Sequence, residues 1–180
     1  MSKPRFASVW LGGCSGCHMS FLDMDEWLFE LAGLVDVVYS PIVDIKEFPA
    51  DVDITLVEGA VANEDNVEVA HAVRANSRVV ASFGDCAVST NVTGMRNPLG
   101  EPSGIIQRVN VEGPDRDAVA PEADGIEPPL LPKVLPVHKV IPVDFYMPGC
   151  PPSAAEIQRA IETLISDDLR HGVAEDIRRG

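Results

Sequence analysis

Short apolar segments alternate with amphipathic segments along this chain, and that alternation constrains its fold more than any other feature. Strands are predicted for five segments, of which the first is expected to be buried: Arg5–Leu11, Val35–Tyr39, Asp53–Val57, Arg78–Phe83 and Val140–Phe145. Strands that alternate with helices predict an open parallel sheet with helices on both faces. Right-handed crossovers then give an α/β, flavodoxin-like, doubly wound strand order. Pro142 places the fifth strand at an edge, because proline has no N–H for the ladder.

The helices are predicted from their capping residues. Three starts are expected: a capping box at Ser20–Asp23 with a helix to Leu31 that stops at Gly33, a cap at Asn63 with a helix to Ala75, and a capping box at Ser153–Glu156 with a helix to Leu169.

The length of 180 residues predicts one domain over residues 1–180. Within it, residues 90–136 have many prolines and glycines and little periodicity, so we expect a long irregular excursion with one short helix. Loops of that length in a compact domain are usually functional or covered by a partner. Residues 171–180 are expected to form a frayed tail.

Charge and the N-terminal segment narrow the class of partner and the compartment. The chain has 14 basic and 28 acidic residues, for a formal charge of −14, which repels phosphate backbones and anionic headgroups. Nucleic acid and membrane are therefore not expected as partners. The sequence shows no secretory or twin-arginine leader and no apolar run of about 20 residues. These features predict a cytoplasmic protein, in which stable disulfides are rare.

The four cysteines each follow a predicted strand. Cys14 and Cys17 follow the first strand, Cys86 the fourth and Cys150 the fifth, and none is expected inside a helix or strand. Because ligands gather at the carboxyl ends of parallel strands, three loops should bring four thiolates to one rim of the sheet. Thiolates repel one another unless a metal neutralises them. The sequence therefore predicts a metal centre.

The spacing of these cysteines favours an iron–sulfur cluster. Structural zinc usually uses two short Cys-x-x-Cys elements, and here only Cys14 and Cys17 form one. A 4Fe-4S cubane has four separated corners, which suits ligands from distant loops. The neighbouring glycines let backbone N–H groups approach the sulfurs. Two alternatives remain open, a zinc-stabilised interaction domain and a thioredoxin-like redox pair.

Four motifs carry a resemblance to a known family. They are Cys14-Ser-Gly-Cys17, Val57-Glu-Gly-Ala60, Gly84-Asp-Cys86-Ala87 and Pro148-Gly-Cys-Pro-Pro152. In this order they resemble the small subunits of nickel–iron hydrogenases, and the last is also similar to the cluster-bearing subunit of respiratory complex I. The complex I relative has adjacent cysteines in its first motif, whereas two residues separate Cys14 from Cys17 here, which resembles the hydrogenases. The absence of a leader and of further cysteines after Cys150 resembles the short small subunit of soluble, bidirectional NAD-reducing hydrogenases.

The resemblance implies an electron-transfer subunit that is not catalytic alone. Cys14, Cys17, Cys86 and Cys150 would bind one 4Fe-4S cluster. A large subunit would hold the Ni-Fe centre that splits H2, and flavin/iron–sulfur diaphorase subunits would hold FMN and reduce NAD. The alternative is an electron-transfer subunit of a complex I-like or other hydrogenase complex. We expect no flavin in this chain, because cysteines occupy the place of a phosphate loop.

Three side chains beside the motifs also receive predictions. Glu58 ends the third strand, and the resemblance places it near the catalytic subunit as a candidate proton relay. The alternatives for Glu58 are a solvated strand-end carboxylate or a partner for a helix N-terminus. Asp85 is expected to be a loop-capping carboxylate rather than a cluster ligand. His18 is expected to act as a hydrogen-bond donor beside the centre or as a packed residue.

Overall fold

A parallel sheet of five strands forms the centre of the computed structural model, which describes residues 3–112 and 128–166. The strands in chain order are β1 (Arg5–Trp10), β2 (Asp36–Tyr39), β3 (Val52–Glu58), β4 (Val61–Asn63), β5 (Ser77–Phe83), β6 (Leu130–Leu135) and β7 (Phe145–Met147). The order β2-β1-β3-β5-β7, with every neighbouring pair parallel, confirms the predicted doubly wound sheet. Strands β4 and β6 form a separate antiparallel pair.

Helices connect these strands. The α-helices are α1 (Gly16–Leu22), α2 (Trp27–Leu34), α3 (Glu64–Asn76), α4 (Asp85–Ser89), α5 (Pro102–Ile106) and α6 (Ala154–Ile165). The caps predicted at Asn63 and Ser153 are confirmed, since each side chain accepts a hydrogen bond from the backbone three residues on. The predicted end of the last helix at Leu169 lies outside the described residues. No helix within residues 3–112 and 128–166 has the length and apolar character needed to cross a membrane.

Buried side chains cover both faces of the sheet. On one face Phe6, Leu56 and Phe83 belong to the same buried cluster as Ile157 of α6. On the other face the cluster includes Val9, Val57 and Val80 with Val73 of α3. The sheet is therefore a central layer with apolar contacts on both sides, which explains why its strands are almost continuously apolar.

The predicted start of the first helix is wrong. The chain enters α1 at Gly16, directly after Ser15 at a φ of 67°, so that Ser20 lies inside the helix. The Ser20 hydroxyl donates to the Pro152 carbonyl at 2.6 Å instead of capping a helix. A second helix, α2, then begins only at Trp27. The capping-box pattern failed because a long-range hydrogen bond uses this hydroxyl.

The predicted fifth strand is also misplaced, although its edge position is confirmed. Residues Val137–Lys139 form a 3-10 turn, and the strand begins at Phe145. Pro142 cannot donate to the ladder. The Asp144 amide donates to the Val80 carbonyl at 2.9 Å, and the Asp144 carboxylate accepts from the Val80 amide at 2.8 Å. Asp144 thus bonds to both backbone groups of Val80, one residue before β7 begins, and these bonds take the place of strand pairing there.

The predicted long loop contains more regular structure than expected. Its described part holds a 3-10 helix at Asn91–Leu99, helix α5, a π-helical turn at Gln107–Val111 and strand β6. The Arg96 side chain donates to backbone carbonyls of β4 and β6, which connects the 3-10 helix to both strands. The Asn97 side chain bonds to the backbone of Val134 in β6. Residues 113–127, and the tail predicted at 171–180, lie outside the described residues.

Candidate metal centre

The four cysteines lie just after the carboxyl ends of β1, β5 and β7. Cys14 follows β1 and Cys150 follows β7, whereas Cys17 lies in the first turn of α1 and Cys86 in the first turn of α4. The expectation that no cysteine lies in a helix is therefore wrong for Cys17 and Cys86. These short helices start within a few residues of the strand ends, so both thiols still lie at the predicted rim.

The four thiols lie close enough together to influence one another's ionisation. The pKa of Cys17 is raised from 9.0 to about 12, first by burial, then by the charge of Glu58 and of each of the other three cysteines, Cys14, Cys86 and Cys150. The pKa of Cys86 is also raised, by burial and then by Cys14. All four cysteines are free of disulfides. The fold thus brings together thiols that disfavour one another's ionisation, which is the arrangement a bound cation would relieve.

Two glycines let the backbone close around these sulfurs. Gly84 has a φ of 82°, and a Cβ added there would lie 2.1 Å from the Cys17 sulfur. Gly149 has a φ of 134°, and a Cβ there would lie 2.5 Å from the Pro152 nitrogen. Both positions need the backbone freedom and the small volume that only glycine has. The backbone of one loop therefore contacts the thiol of another.

The loops that carry Cys86 and Cys150 are hydrogen-bonded to each other. The Asp85 amide donates to the Gly149 carbonyl at 2.9 Å, and the Gly149 amide donates to the Asp85 carboxylate at 2.7 Å. The Gly84 amide also donates to the Met147 carbonyl at 2.7 Å. The predicted loop-capping role of Asp85 is confirmed. These hydrogen bonds between protein groups hold the loop of Cys86 beside the loop of Cys150.

Glu58 is a buried carboxylate that accepts several hydrogen bonds. Its side chain receives the amides of Cys17 at 3.3 Å and His18 at 3.0 Å and the indole N–H of Trp10 at 3.0 Å. The His18 imidazole also contacts it through Nδ1. With Glu58 only 2% exposed, the solvated alternative is wrong and the helix-partner alternative is confirmed. Buried charges require this number of partners.

His18 is a packed residue on the same side of the site. Its ring lies 5.2 Å from the Trp10 ring and 5.8 Å from the Phe83 ring, measured between centroids. Its Nδ1 also contacts Glu58. The ring is therefore packed, as one of the two predictions has it, and the predicted role as a donor beside the centre stays a prediction. The role of Glu58 as a proton relay stays a prediction.

Asn91 is a residue at the site that sequence reasoning missed. Its side-chain amide nitrogen donates to the Cys150 sulfur at 3.1 Å. The backbone amides of Val92 and Thr93 also lower the pKa of Cys86. Nothing in the sequence identifies this asparagine, because it lies in the irregular stretch and only the fold brings it to a cysteine of another loop.

Four thiols from three loops are ligands that both zinc and an iron–sulfur cluster accept. A tetrahedral zinc ion at about 2.3 Å from each sulfur would hold the sulfurs about 3.8 Å apart. In residues 3–112 and 128–166, no group of three or more His, Cys, Asp or Glu side chains is arranged to hold one metal ion. This finding does not separate zinc from a cluster, and the choice between them stays a prediction. Thiolates from three loops, with N–H groups near the sulfurs, match what a cubane requires.

Comparisons with known proteins identify the family of the chain. Residues 14–164 match the family described as NADH ubiquinone oxidoreductase, 20 kDa subunit. The chain is 37% identical over 168 residues to the NAD-reducing hydrogenase HoxS subunit delta of Cupriavidus necator, covering 91% of this chain and 79% of that one. A crystal structure of an NAD+-reducing nickel–iron hydrogenase in the H2-reduced state contains a chain with a TM-score of 0.86 and 37% identity, with 91% of each chain covered.

Longer relatives share the same region. The chain is 34% identical over 172 residues to a subunit of the F420-non-reducing hydrogenase of Methanothermobacter thermautotrophicus, with 92% of this chain and 54% of that protein covered. The chain thus spans about half the length of the first curated relatives that it matches. The resemblance carried by the four cysteine and glutamate motifs is confirmed. The chain belongs to the NADH ubiquinone oxidoreductase 20 kDa subunit family and, within it, is similar to the small subunits of nickel–iron hydrogenases.

Proposed function

We propose that this chain is the electron-transfer small subunit of a nickel–iron hydrogenase, with one 4Fe-4S cluster bound by Cys14, Cys17, Cys86 and Cys150. The observation that carries the proposal is the position of the four cysteines just after the carboxyl ends of β1, β5 and β7, at one rim of the sheet. When bound, a cluster of this type stores and releases one electron at a time. The buried sides of Cys17 and Cys86 shield one side of it from water.

The exposed side of the site suits a protein partner. Cys14 and Cys150 are exposed, and the 3-10 helix that begins at Asn91 presents Met95 and Leu99 at 70% and 69% exposure. Apolar groups of this size beside a functional site are typical of interaction surfaces. The partner in this proposal is a large subunit with the Ni-Fe centre that splits H2. Electrons then pass to flavin/iron–sulfur diaphorase subunits, where FMN and NAD are bound.

The final acceptor distinguishes the proposal from a second candidate. Similarity to the HoxS delta subunit supports an NAD-reducing complex, and the high coverage of both chains makes this the favoured interpretation. Similarity to the F420-non-reducing hydrogenases supports the second candidate, a hydrogenase complex with the same cluster and another acceptor. Both candidates assign the same role to the four cysteines.

Purification of the native complex tests this function. We expect the tagged chain to bring down a large subunit and diaphorase subunits, identified by mass, with H2-dependent reduction of NAD+. In a Cys150→Ala complex, acceptor reduction should collapse, while D2–proton exchange at the large subunit continues as the control for an intact H2 site. Full acceptor reduction by Cys150→Ala would refute the electron-transfer role. H2-dependent reduction of another acceptor, with none of NAD+, would support the second candidate.

A further inference from the structure

A turn with positive φ values directly follows helix α4 and begins four residues after Cys86. Its two residues, Thr90 and Asn91, have φ values of 73° and 37°. Positive φ is uncommon outside glycine and is least tolerated by β-branched residues such as threonine. Backbone strain of this kind persists only where the surrounding structure enforces it, and it concentrates at functional sites. The strain at Thr90 and Asn91 therefore indicates that the turn holds a neighbouring group in place.

The turn brings hydrogen-bond donors to two of the cysteines. The Asn91 side-chain nitrogen lies 3.1 Å from the Cys150 sulfur, 59 residues further along the chain. The backbone amides of Val92 and Thr93, the next two residues, interact with Cys86. One short segment thus supplies donors to sulfurs from two different loops. The residue that makes the hydrogen bond to Cys150 is thus also one of the two with positive φ.

We propose that Asn91 is a positioning residue that acts through Cys150 to raise the reduction potential of the bound cluster. This inference rests on the proposed function. In that function one electron from the H2-splitting subunit enters the cluster and leaves to the next acceptor, so that the cluster alternates between two charges. Reduction adds negative charge that the thiolate sulfurs share, and an N–H donor stabilises the more negative form. Loss of the donor therefore lowers the potential.

Two substitutions separate this hydrogen bond from the shape of the turn. Asn91→Gly removes the donor and suits a positive φ, so the backbone is not strained further. Asn91→Asp keeps the shape but replaces the donor with a carboxylate. The matched control, Thr90→Gly, relieves the neighbouring positive φ and leaves the Asn91 amide in place. If Asn91 served only the backbone, Asn91→Gly would match the wild type.

The test is a redox titration of the purified complex, followed by the EPR signal of the reduced cluster. For Asn91→Gly we expect the ratio of reduced to oxidised cluster at a fixed potential to fall about tenfold, or about 59 mV for one electron. Asn91→Asp should lower the potential further, because its carboxylate adds negative charge. Thr90→Gly should keep the wild-type potential.

Iron and sulfide contents, measured first, separate the possible failures. A wild-type complex without iron and sulfide in this chain would overturn the proposed function itself. A full cluster with wild-type potential in Asn91→Gly would overturn only the role of Asn91. Loss of the cluster in both Asn91 variants, with retention in Thr90→Gly, would also overturn it, since Asn91 would then serve to retain the cluster.

Discussion

Gly84 is the backbone position at which a single methyl group should disrupt the metal centre. In Gly84→Ala, the added Cβ would lie 2.1 Å from the Cys17 sulfur, whereas real Cβ contacts are essentially never shorter than 3.0 Å. The sulfur must therefore move by about 1 Å, several times the tolerance of about 0.2 Å for a metal–ligand distance. We expect the variant to lose its cluster.

The variant also carries a backbone cost that must be measured separately. Gly84 has φ 82° and ψ 164°, a region that is essentially restricted to glycine and costs an alanine about 1–3 kcal/mol. Gly100 has φ 107° and ψ −160°, in the same region, but a Cβ there meets nothing within 4 Å. Gly100→Ala therefore reproduces the backbone strain without the contact to sulfur, and serves as the matched control.

Two measurements on purified chains decide the result. Urea unfolding of the cluster-free chains should show a loss of about 1–3 kcal/mol in Gly100→Ala and at least as much in Gly84→Ala. Iron and sulfide after anaerobic reconstitution should be full in Gly100→Ala and largely absent in Gly84→Ala. Full cluster content in Gly84→Ala would refute the argument that this backbone must contact Cys17.

Three other changes at the site have expected outcomes. Changing Cys86 to Ala should lose the cluster or leave a three-iron form, seen by EPR; an unchanged four-iron signal would remove Cys86 from the ligand set. Glu58→Gln keeps the shape of the side chain but cannot carry a proton, and its amide nitrogen fits best at the Oε1 position, where only the 3.3 Å contact with the Cys17 amide is lost. In a complex that retains its iron and sulfide we expect slower H2 turnover and slower D2 exchange; wild-type rates in both assays would leave Glu58 its structural role alone. In the cluster-free chain, the raised pKa of Cys17 means that the folded state holds this proton more tightly than the unfolded state, whose pKa is near 9.0. The contribution of Cys17 to the free energy of unfolding should therefore be constant below about pH 9 and fall as pH rises towards about 12, with urea midpoints at neutral pH and about pH 10 as the measurement. A stability that rises over this range would contradict the burial of Cys17.

The fold was predictable where local pattern and packing agree. The apolar runs that became β1, β3 and β5 are buried on both faces, and no local alternative competes for them. The caps at Asn63 and Ser153 formed as predicted, because their side chains bond to the backbone three residues on. Ser20 carried the same pattern and failed. Its hydroxyl bonds to Pro152, a partner 132 residues away that no local rule identifies.

The site was predictable in outline for a topological reason. Each cysteine follows a parallel strand, and the carboxyl ends of such strands meet at one edge, so the four thiols could be brought together from their order in the sequence. The details depend on contacts between loops. The burial of Glu58, the contact of Gly84 with Cys17 and the hydrogen bond from Asn91 to Cys150 all join residues far apart in sequence. Composition and spacing do not encode these contacts.

Iron and acid-labile sulfide in the reconstituted chain test the central claim most directly. A single site with four thiolate ligands predicts about four irons and about four sulfides per chain. The Cys150→Ala chain, purified and reconstituted in parallel, should hold less of both. Zinc without sulfide would contradict the account, and so would about eight irons, which would require ligands beyond Cys14, Cys17, Cys86 and Cys150.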